Sequence, residues 1–528
     1  MPETSQDCKA LFLKFVEAAS EYCPPVGLQA TAESAADGTE AQQSQEGRGA
    51  ERILGMLSSC PLYRDDTGAA YIQINSRLER LDCRSRSLLA YLSYTYYTLT
   101  GKAPRRESIG QAVQVLEGKA LCEGTLIEIF NRVGEKDGII YYHMGGRCVA
   151  ISAGKWELID SAPVFFLTFN HQRPQPDPLK GGNSWQFFEF FNNIPEEKRL
   201  LVLVTIIASF IPKITHPVLG VIGSHGAGKS FFCGALKTIV DPSASTLLSM
   251  PRKEEDADLL LYRHHLLALD NLSELSGSLS DRLSAVITGA VLEKRQLHTD
   301  TDIILLRCNP VIVLNGIVPF IHRADLLDRT ITVNLERITP TGRREESVFW
   351  RQFHEALPSI RGGIFDTLSK ALEIYPTVKL KSLPRLADFC RFGFSIGEAL
   401  GGRGNEFIQA YNENANLEIE EMIEGNSLCA AIVSCMEVRG YLEGTVKEIL
   451  DKLREIASPA TGDKSFPSSP RAFRAHLERL RVPLSEMGIN YRVKGKTCKG
   501  RLIEFVKADA APATDDGVSP EGDSELPF

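Results

Sequence analysis

At 528 residues the chain is too long for one hydrophobic core and divides into about three domains. Its hydrophobic (43%) and charged (24%) fractions are those of a globular protein, and a net charge of −8 excludes a chain that is basic all over while allowing a local basic face. The longest strongly apolar run, 200–211, is too short to span a bilayer and the N-terminus is polar and acidic. The twelve cysteines are scattered, with no C-x-x-C pair and no Cys/His ligand spacing. The expectation is a cytoplasmic protein without a membrane partner.

In chain order, residues 1–50 read as a short helix over 11–19 followed by a flexible linker rich in Ala, Glu, Ser, Gly and Gln. Residues 51–165 read as a small α+β domain. Its strands begin at 69–74, its helices cover 85–99 and 108–121, and a strand meander follows over 126–133, 138–143, 148–152 and 156–159. Tyr96 and Tyr97 in this domain are packing residues, and no catalytic constellation falls there. A Pro/Gly-rich connector fills 166–183. From 184 to 340, apolar strand-like runs alternate with helical stretches, the pattern of an α/β layer. Residues 341–425 are helical throughout. Thr445 with Glu448 three residues on is a capping box opening a helix. A second helix over 469–480 and a basic β-like stretch complete an order that suggests a winged helix over 440–507. The last residues, 508–528, hold six acidic groups and no basic one, so they form an acidic disordered tail.

The most specific motif is Gly223-Ser224-His225-Gly226-Ala227-Gly228-Lys229-Ser230, which fits G-x-x-x-x-G-K-[ST] at every fixed position. An apolar run precedes it and a helix start follows. Glycines let backbone amides wrap phosphates, and the helix N-terminus adds positive potential. Lys229 can reach the β- and γ-phosphates, and Ser230 can ligate Mg²⁺. The implied cofactors are ATP and Mg²⁺. Downstream, Leu266-Leu-Ala-Leu269-Asp270 is an apolar strand ending in a carboxylate able to hold the metal with Ser230. Asn271 follows where many ATPases carry a glutamate. It can orient water but is no base, and Glu274 and Glu293 are candidate substitutes. A later strand, Val311-Ile-Val-Leu314, ends in Asn315, which can sense the γ-phosphate. Arg329 is the favoured arginine to reach a neighbouring subunit's nucleotide, with Arg323 second. A surface ion pair with Asp325 or Asp328 is the other reading of either.

Two stretches bear on DNA. Lys294, Arg295 and His298 lie in a basic turn between a helix and a strand, either a pore hairpin holding a DNA backbone or an exposed charged turn. Residues 471–507 hold ten Arg and Lys against three Glu. There Arg471, Arg474, Arg492, Lys494, Lys496 and Lys499 can contact phosphates, unless the face is merely solvated. The tail tip, Asp523-Ser-Glu-Leu-Pro-Phe528, resembles the acidic tip of bacterial single-stranded-DNA-binding proteins. It either recruits a replication or repair partner or matches by chance.

With G-S-H-G-A-G-K-S, L-L-A-L-D-N, V-I-V-L-N-G and R-A-D-L-L-D-R-T in hand, the chain resembles the phage- and poxvirus-type primase-associated ATPases of helicase superfamily 3, which are AAA+ relatives. L-T-G-K-A-P (99–104), V-L-E-G-K-A-L (115–121) and L-P-R-L-A-D-F (383–389) extend the likeness to a bacterial ATP-binding branch, over about 60–505. The resemblance implies an AAA+ P-loop core over 184–340, a helical lid over 341–425, and a hexameric ring with ATP at subunit interfaces. It also implies translocation on single-stranded or forked DNA, as a helicase replicating a mobile or phage-like element. Asn271 departs from the pattern, and no primase domain is apparent, so priming falls to a separate chain. The alternatives are an ATP-dependent switch or loader that recruits a replication or defence partner without unwinding, and a DNA-binding regulator whose ATPase is vestigial.

Overall fold

The computed structural model describes residues 44–251, 253–295, 303–457, 466–497 and 500–507. It is a mixed α/β multidomain chain with a parallel sheet. Among the described residues the chain forms two compact units, one that holds 44–58 with 90–112, the other 59–89 with the described residues from 113 to 507. In the first, helix Ser44–Met56 runs across the boundary expected at residue 50 and takes in the last residues expected in the linker, 44–50. Its apolar positions recur at helical spacing, and Ala50 and Ile53 are buried. Tyr96 is buried as expected, whereas Tyr97 is 58% exposed.

The centre of the second unit is a five-stranded sheet. Its strands are β1 (Val218–Ile222), β2 (Leu248–Ser249), β3 (Leu266–Leu272), β4 (Val311–Gly316) and β5 (Thr330–Asn334), in the order β2-β3-β4-β1-β5, all parallel. Such strands are apolar on both faces because helices cover both. Along β3, Leu266 and Ala268 join one apolar cluster while Leu267 and Leu269 join another.

The first cluster crosses two boundaries expected from the sequence. It includes Tyr142, Val149 and Trp156 of the antiparallel meander that runs from Val133–Lys136 to Lys155–Ile159. It also includes α1 (Glu196–Ala208), α2 (Lys229–Val240), and three later helices. These are α5 (Glu346–Ile374), α6 (Ala387–Ala399) and α7 (Gly404–Gly425). The meander and the helices after 341 therefore share the core of the sheet. The cause is the apolar stripe of α5, where Phe365 meets Tyr142 and Trp156, and Asp366 accepts from Trp156 Nε1 at 2.7 Å. The 166–183 connector is likewise packed down. A Cβ on Gly362 of α5 would fall 1.7 Å from the Leu179 carbonyl oxygen, so only glycine allows that approach.

Between β3 and β4 stand α3 (Gly277–Ile287) and an antiparallel hairpin, Leu292–Arg295 against Ile303–Leu306. Helix α4 (Ala324–Leu327) precedes β5.

The C-terminal module has its own core. It comprises α8 (Ser427–Arg439), β6 (Tyr441–Thr445), α9 (Val446–Ala457), α10 (Pro470–Glu486), β7 (Ile489–Thr497) and β8 (Gly500–Lys507). The three strands form an antiparallel sheet in the order β6-β8-β7. Helix α8 is an addition to the expected 440–507 span, and its Leu428, Ile432 and Met436 belong to that core. The capping box is formed: Thr445 N–H donates to Glu448 Oε2 at 2.9 Å, and Glu448 N–H donates to Thr445 Oγ1 at 3.3 Å. The expected helix at 11–19 and the tail lie outside the described residues.

Candidate functional site

Chain order brings four sequence-predicted residues to the carboxyl ends of β1, β3 and β4. The loop 223–228 leaves β1 and enters α2 at Lys229. Gly226 and Gly228 hold φ of +79° and +77°, the left-handed region that lets consecutive amides turn to one side. Lys229 Nζ folds back on this loop, donating to the carbonyls of Gly223 at 2.7 Å and Ser224 at 3.2 Å. Burial lowers the Lys229 pKa, with nearby Asp270 opposing the shift. Ser230 Oγ donates to both Asp270 carboxylate oxygens, at 3.1 and 3.2 Å. A cationic amine, a loop with two left-handed glycines and a hydroxyl–carboxylate pair are the kind of set that Mg²⁺-bound triphosphate requires, so these residues fit the two cofactors.

Asn315 is fully buried on the central strand. Its Oδ1 accepts from the Asn271 backbone N–H at 3.0 Å, and its Nδ2 reaches Cys233 Sγ at 3.4 Å. Burial pushes the Cys233 thiol up to about 12, so it stays protonated. Asn271 has φ +59° where the β3–β4 register shifts, and it is exposed. Its contact with Asn315 is through the main chain.

Sequence reasoning missed the chain that closes over the loop. Asn193 Nδ2 donates to the carbonyls of Ala227 (2.9 Å) and Glu336 (2.8 Å), tying the loop to the segment after β5. That segment brings Ile338 Cδ1 within 3.1 Å, and Arg343 Nη2 within 3.6 Å, of the Cβ positions of Gly228 and Gly226. Arg343 is exposed. No motif marks these residues, since they reach the loop from far along the chain.

The two candidate arginines differ in setting. Arg323 is 42% exposed at its side chain and pairs with Asp281 at 3.2 Å. Arg329 is 14% exposed, pairs with Asp325 at 3.1 Å, and has a buried Nε without a hydrogen-bond partner among the described residues. Arg385, also missed, bonds both Asp325 and Asp328. Burial works against the Asp325 charge, yet hydrogen bonds from Arg329 and Ser284 and the charge of Arg385 hold its pKa below the usual range.

Of the predicted DNA contacts, Lys294 and Arg295 are on the first strand of the 292–306 hairpin, and His298 and Lys499 lie outside the described residues. Arg471 and Arg474 are exposed in the first turns of α10, and Arg492 is exposed on β7. Lys494 is engaged by Glu443 and Glu504, each at 3.2 Å, so cross-strand carboxylates offset part of the basic face. Lys496 lies on the same strand. Among the described residues no group of His, Cys, Asp and Glu forms a further metal cluster, and no helix is long and apolar enough to cross a membrane.

Residues 186–414 match the family described as the actinomycete integrative conjugative element replication protein, and 428–516 match the C-terminal domain of the same RepA family. No curated protein matches. Among solved structures, two A-form apo structures of the NrS-1 C-terminal region align at 13% identity. Each covers 88% of this chain and 100% of that chain, with TM-scores of 0.37 and 0.38. A ligand-bound JCV helicase aligns at 11% identity over 42% of this chain and 74% of that chain, with a TM-score of 0.20. The matched segments are the two parts of one family, and across them the chain matches the replication protein of actinomycete integrative conjugative elements.

Proposed function

We propose that the chain is an ATP-hydrolysing motor of the AAA+ helicase type that moves on DNA during replication of an integrative conjugative element. The observation that carries this reading is the convergence of Lys229, the Ser230–Asp270 pair and Asn315 at the carboxyl ends of the three inner strands of the parallel sheet. In this reading the amides of 223–228 and Lys229 hold the phosphates, and Ser230 with Asp270 holds Mg²⁺. Asn315 steadies the Asn271 turn beside them. ATP with Mg²⁺ supplies the phosphoanhydride that is cleaved. Arg343 adds a positive charge over the loop from the same chain.

A ring needs an arginine supplied across an interface. The greater exposure of Arg323 favours it over Arg329, whose guanidinium is committed to Asp325. The hairpin carrying Lys294 and Arg295, and the C-terminal module read as a winged helix with Arg471, Arg474 and Arg492, are the proposed DNA contacts. A separate primase, and a replication or repair protein at the tail, would complete the machinery.

The test is ATP turnover with and without single-stranded DNA. Lys229→Ala is expected to lower turnover by roughly 10²-fold or more, as when a preorganised transition-state donor is removed. Arg343→Ala is expected to raise KM for ATP about tenfold, the loss of one charge-assisted contact of ~1.5 kcal/mol. Strong DNA stimulation that Lys229→Ala abolishes supports the motor. A second reading, an ATP-dependent switch or loader, is favoured by one observation: the residue after Asp270 is an exposed Asn engaged through its backbone. ATP-dependent assembly with turnover no higher than that of Lys229→Ala would establish it.

A further inference from the structure

Helix Arg86–Thr100 has an outer face that is aromatic where charge is the rule. Leu92 and Tyr96, four residues apart, are buried and mark its inner stripe. Tyr94 and Tyr97 lie two and five residues on from Leu92, which at about 100° per residue turns both away from that stripe. They are 69% and 58% exposed. As i and i+3 neighbours they share one side of the helix, with Cβ atoms about 5–6 Å apart. The outer face of a surface helix ordinarily carries charged residues. Here, from 87 to 101, there is no Asp, Glu, Lys or Arg. Among the described residues neither tyrosine ring packs on another ring or under a cation, so both present their aromatic surface to solvent.

Positive charge follows directly. Gly101 turns the chain with φ +66°, and its N–H donates to the Tyr97 carbonyl at 2.8 Å. Lys102 N–H donates to Thr100 Oγ1 at 3.2 Å, and that hydroxyl donates to the Tyr96 carbonyl at 2.7 Å. The backbone of Lys102 is thereby held against the last turn of the helix, the turn that carries Tyr97. Arg106 opens the next helix, Arg106–Glu123. Lys102 and Arg106 are exposed, and among the described residues neither is paired with a carboxylate. Between 90 and 112, Glu107 is the one acidic residue, against Lys102, Arg105 and Arg106. In a chain of net charge −8 this is a local basic site beside two open rings. Bases in a duplex are stacked on one another, whereas those of a single strand offer their faces to aromatic side chains while cations track the phosphates. A single strand matches both halves of this surface. An apolar protein partner would match only the tyrosines.

We propose that Tyr94 and Tyr97 stack on bases of single-stranded DNA while Lys102 and Arg106 hold its phosphates, which gives the N-terminal unit a strand-holding role. The face lies outside both segments matched to the replication-protein family. It shares its DNA partner with the reading above but not its site, so the two can fail separately.

The full chain without nucleotide is titrated against a labelled oligothymidylate of about 20 nucleotides, long enough to span such a groove, with a duplex of the same length beside it. Tyr94→Ser and Tyr97→Ser are each expected to weaken single-strand binding about tenfold, the loss of one stacked base, and Tyr→Phe at either position to restore it. Both side chains are exposed, so the melting temperature should not move. Lys102→Gln is expected to lower the slope of log affinity against log salt by about 0.7, one phosphate contact on a single strand. An oligonucleotide carrying 5-iodouracil should crosslink to Tyr94 or Tyr97 in the unmutated chain. Unchanged affinity in the double serine variant, an equal loss on duplex and single strand, or no crosslink at either tyrosine would each overturn the proposal. A change of oligomeric state with unaltered DNA affinity would assign the face to a second copy and overturn it too. Lys294→Gln with Arg295→Gln separates the sites: loss of binding there, with none in the tyrosine variants, overturns this proposal and leaves the hairpin reading standing.

Discussion

Asn271 shows how one backbone angle limits what a residue can be. Its φ of +59° is adopted with little penalty by Asn or Gly, and costs other residues about 1–2 kcal/mol. The angle turns the Asn271 amide toward Asn315 Oδ1, so the backbone links the two strands. Asn271→Gly is therefore expected to keep the melting temperature and nucleotide affinity close to those of the parent. Asn271→Val is expected to lose about 1–2 kcal/mol in denaturant titration. Equal stability of the two variants would count against the strained turn. Asp270 and Lys229 were legible in the sequence because their spacing is a motif. Arg343, Asn193 and Arg385 were not, because each acts on residues tens to more than a hundred positions away.

At the scale of elements, helix α2 is fixed at both ends. Its N-terminus leaves the glycine-rich loop 223–228. At its C-terminus the fully buried Arg361 donates to the Thr238 and Ile239 carbonyls, both at 3.3 Å, and Tyr142 donates to the Val240 carbonyl at 2.8 Å. Burial lowers the Arg361 pKa to about 10, still well above neutrality. Beside it, Asp241 accepts from Lys237 at 2.7 Å, from Arg132 at 3.0 Å, and from the His265 amide at 3.0 Å. Burial would raise the Asp241 pKa, but Lys237 and Arg132 overcome it and hold the carboxyl well below its usual range. This network joins the meander, α2 and the start of β3. Asp241→Asn leaves two buried cations short of a counter-charge and is expected to cost about 3–5 kcal/mol in chemical denaturation. A loss under 1 kcal/mol would mean the network is not a structural tie. The sequence showed helix and strands here, but the polar residues joining them carry no periodic signal.

For the whole molecule, five histidines are held neutral by burial. The pKa falls from 6.5 to about 4 at His143, His171 and His265, and to about 3 at His216 and His264. Desolvation is the first cause at each, and neighbouring cations add to it at several. The unfolded chain takes up protons near pH 6.5 while the folded chain does not. Stability is therefore complete above pH 6.5 and falls as pH drops toward 4. Denaturation at pH 7.5, 6 and 5 is expected to give a steadily decreasing unfolding free energy, with several protons taken up on unfolding near pH 5. A flat profile across that window would refute it.

By itself the sequence determined the local devices: the glycine-rich loop with its lysine and serine, the apolar strands ending in Asp270 and Asn315, and the capping box at Thr445. Each is written in contiguous residues whose spacing is dictated by backbone geometry, so short-range physics suffices to read it. Only the tertiary structure decided that the meander, the sheet and the helices after 341 share one core. The same holds for α8 joining the C-terminal module, and for Arg323 and Arg329 each pairing with a carboxylate, Asp281 and Asp325, with Arg323 the more exposed of the two. Those outcomes depend on which apolar faces meet and which charges are left to pair, and contacts between distant segments are set by the packing of the whole chain.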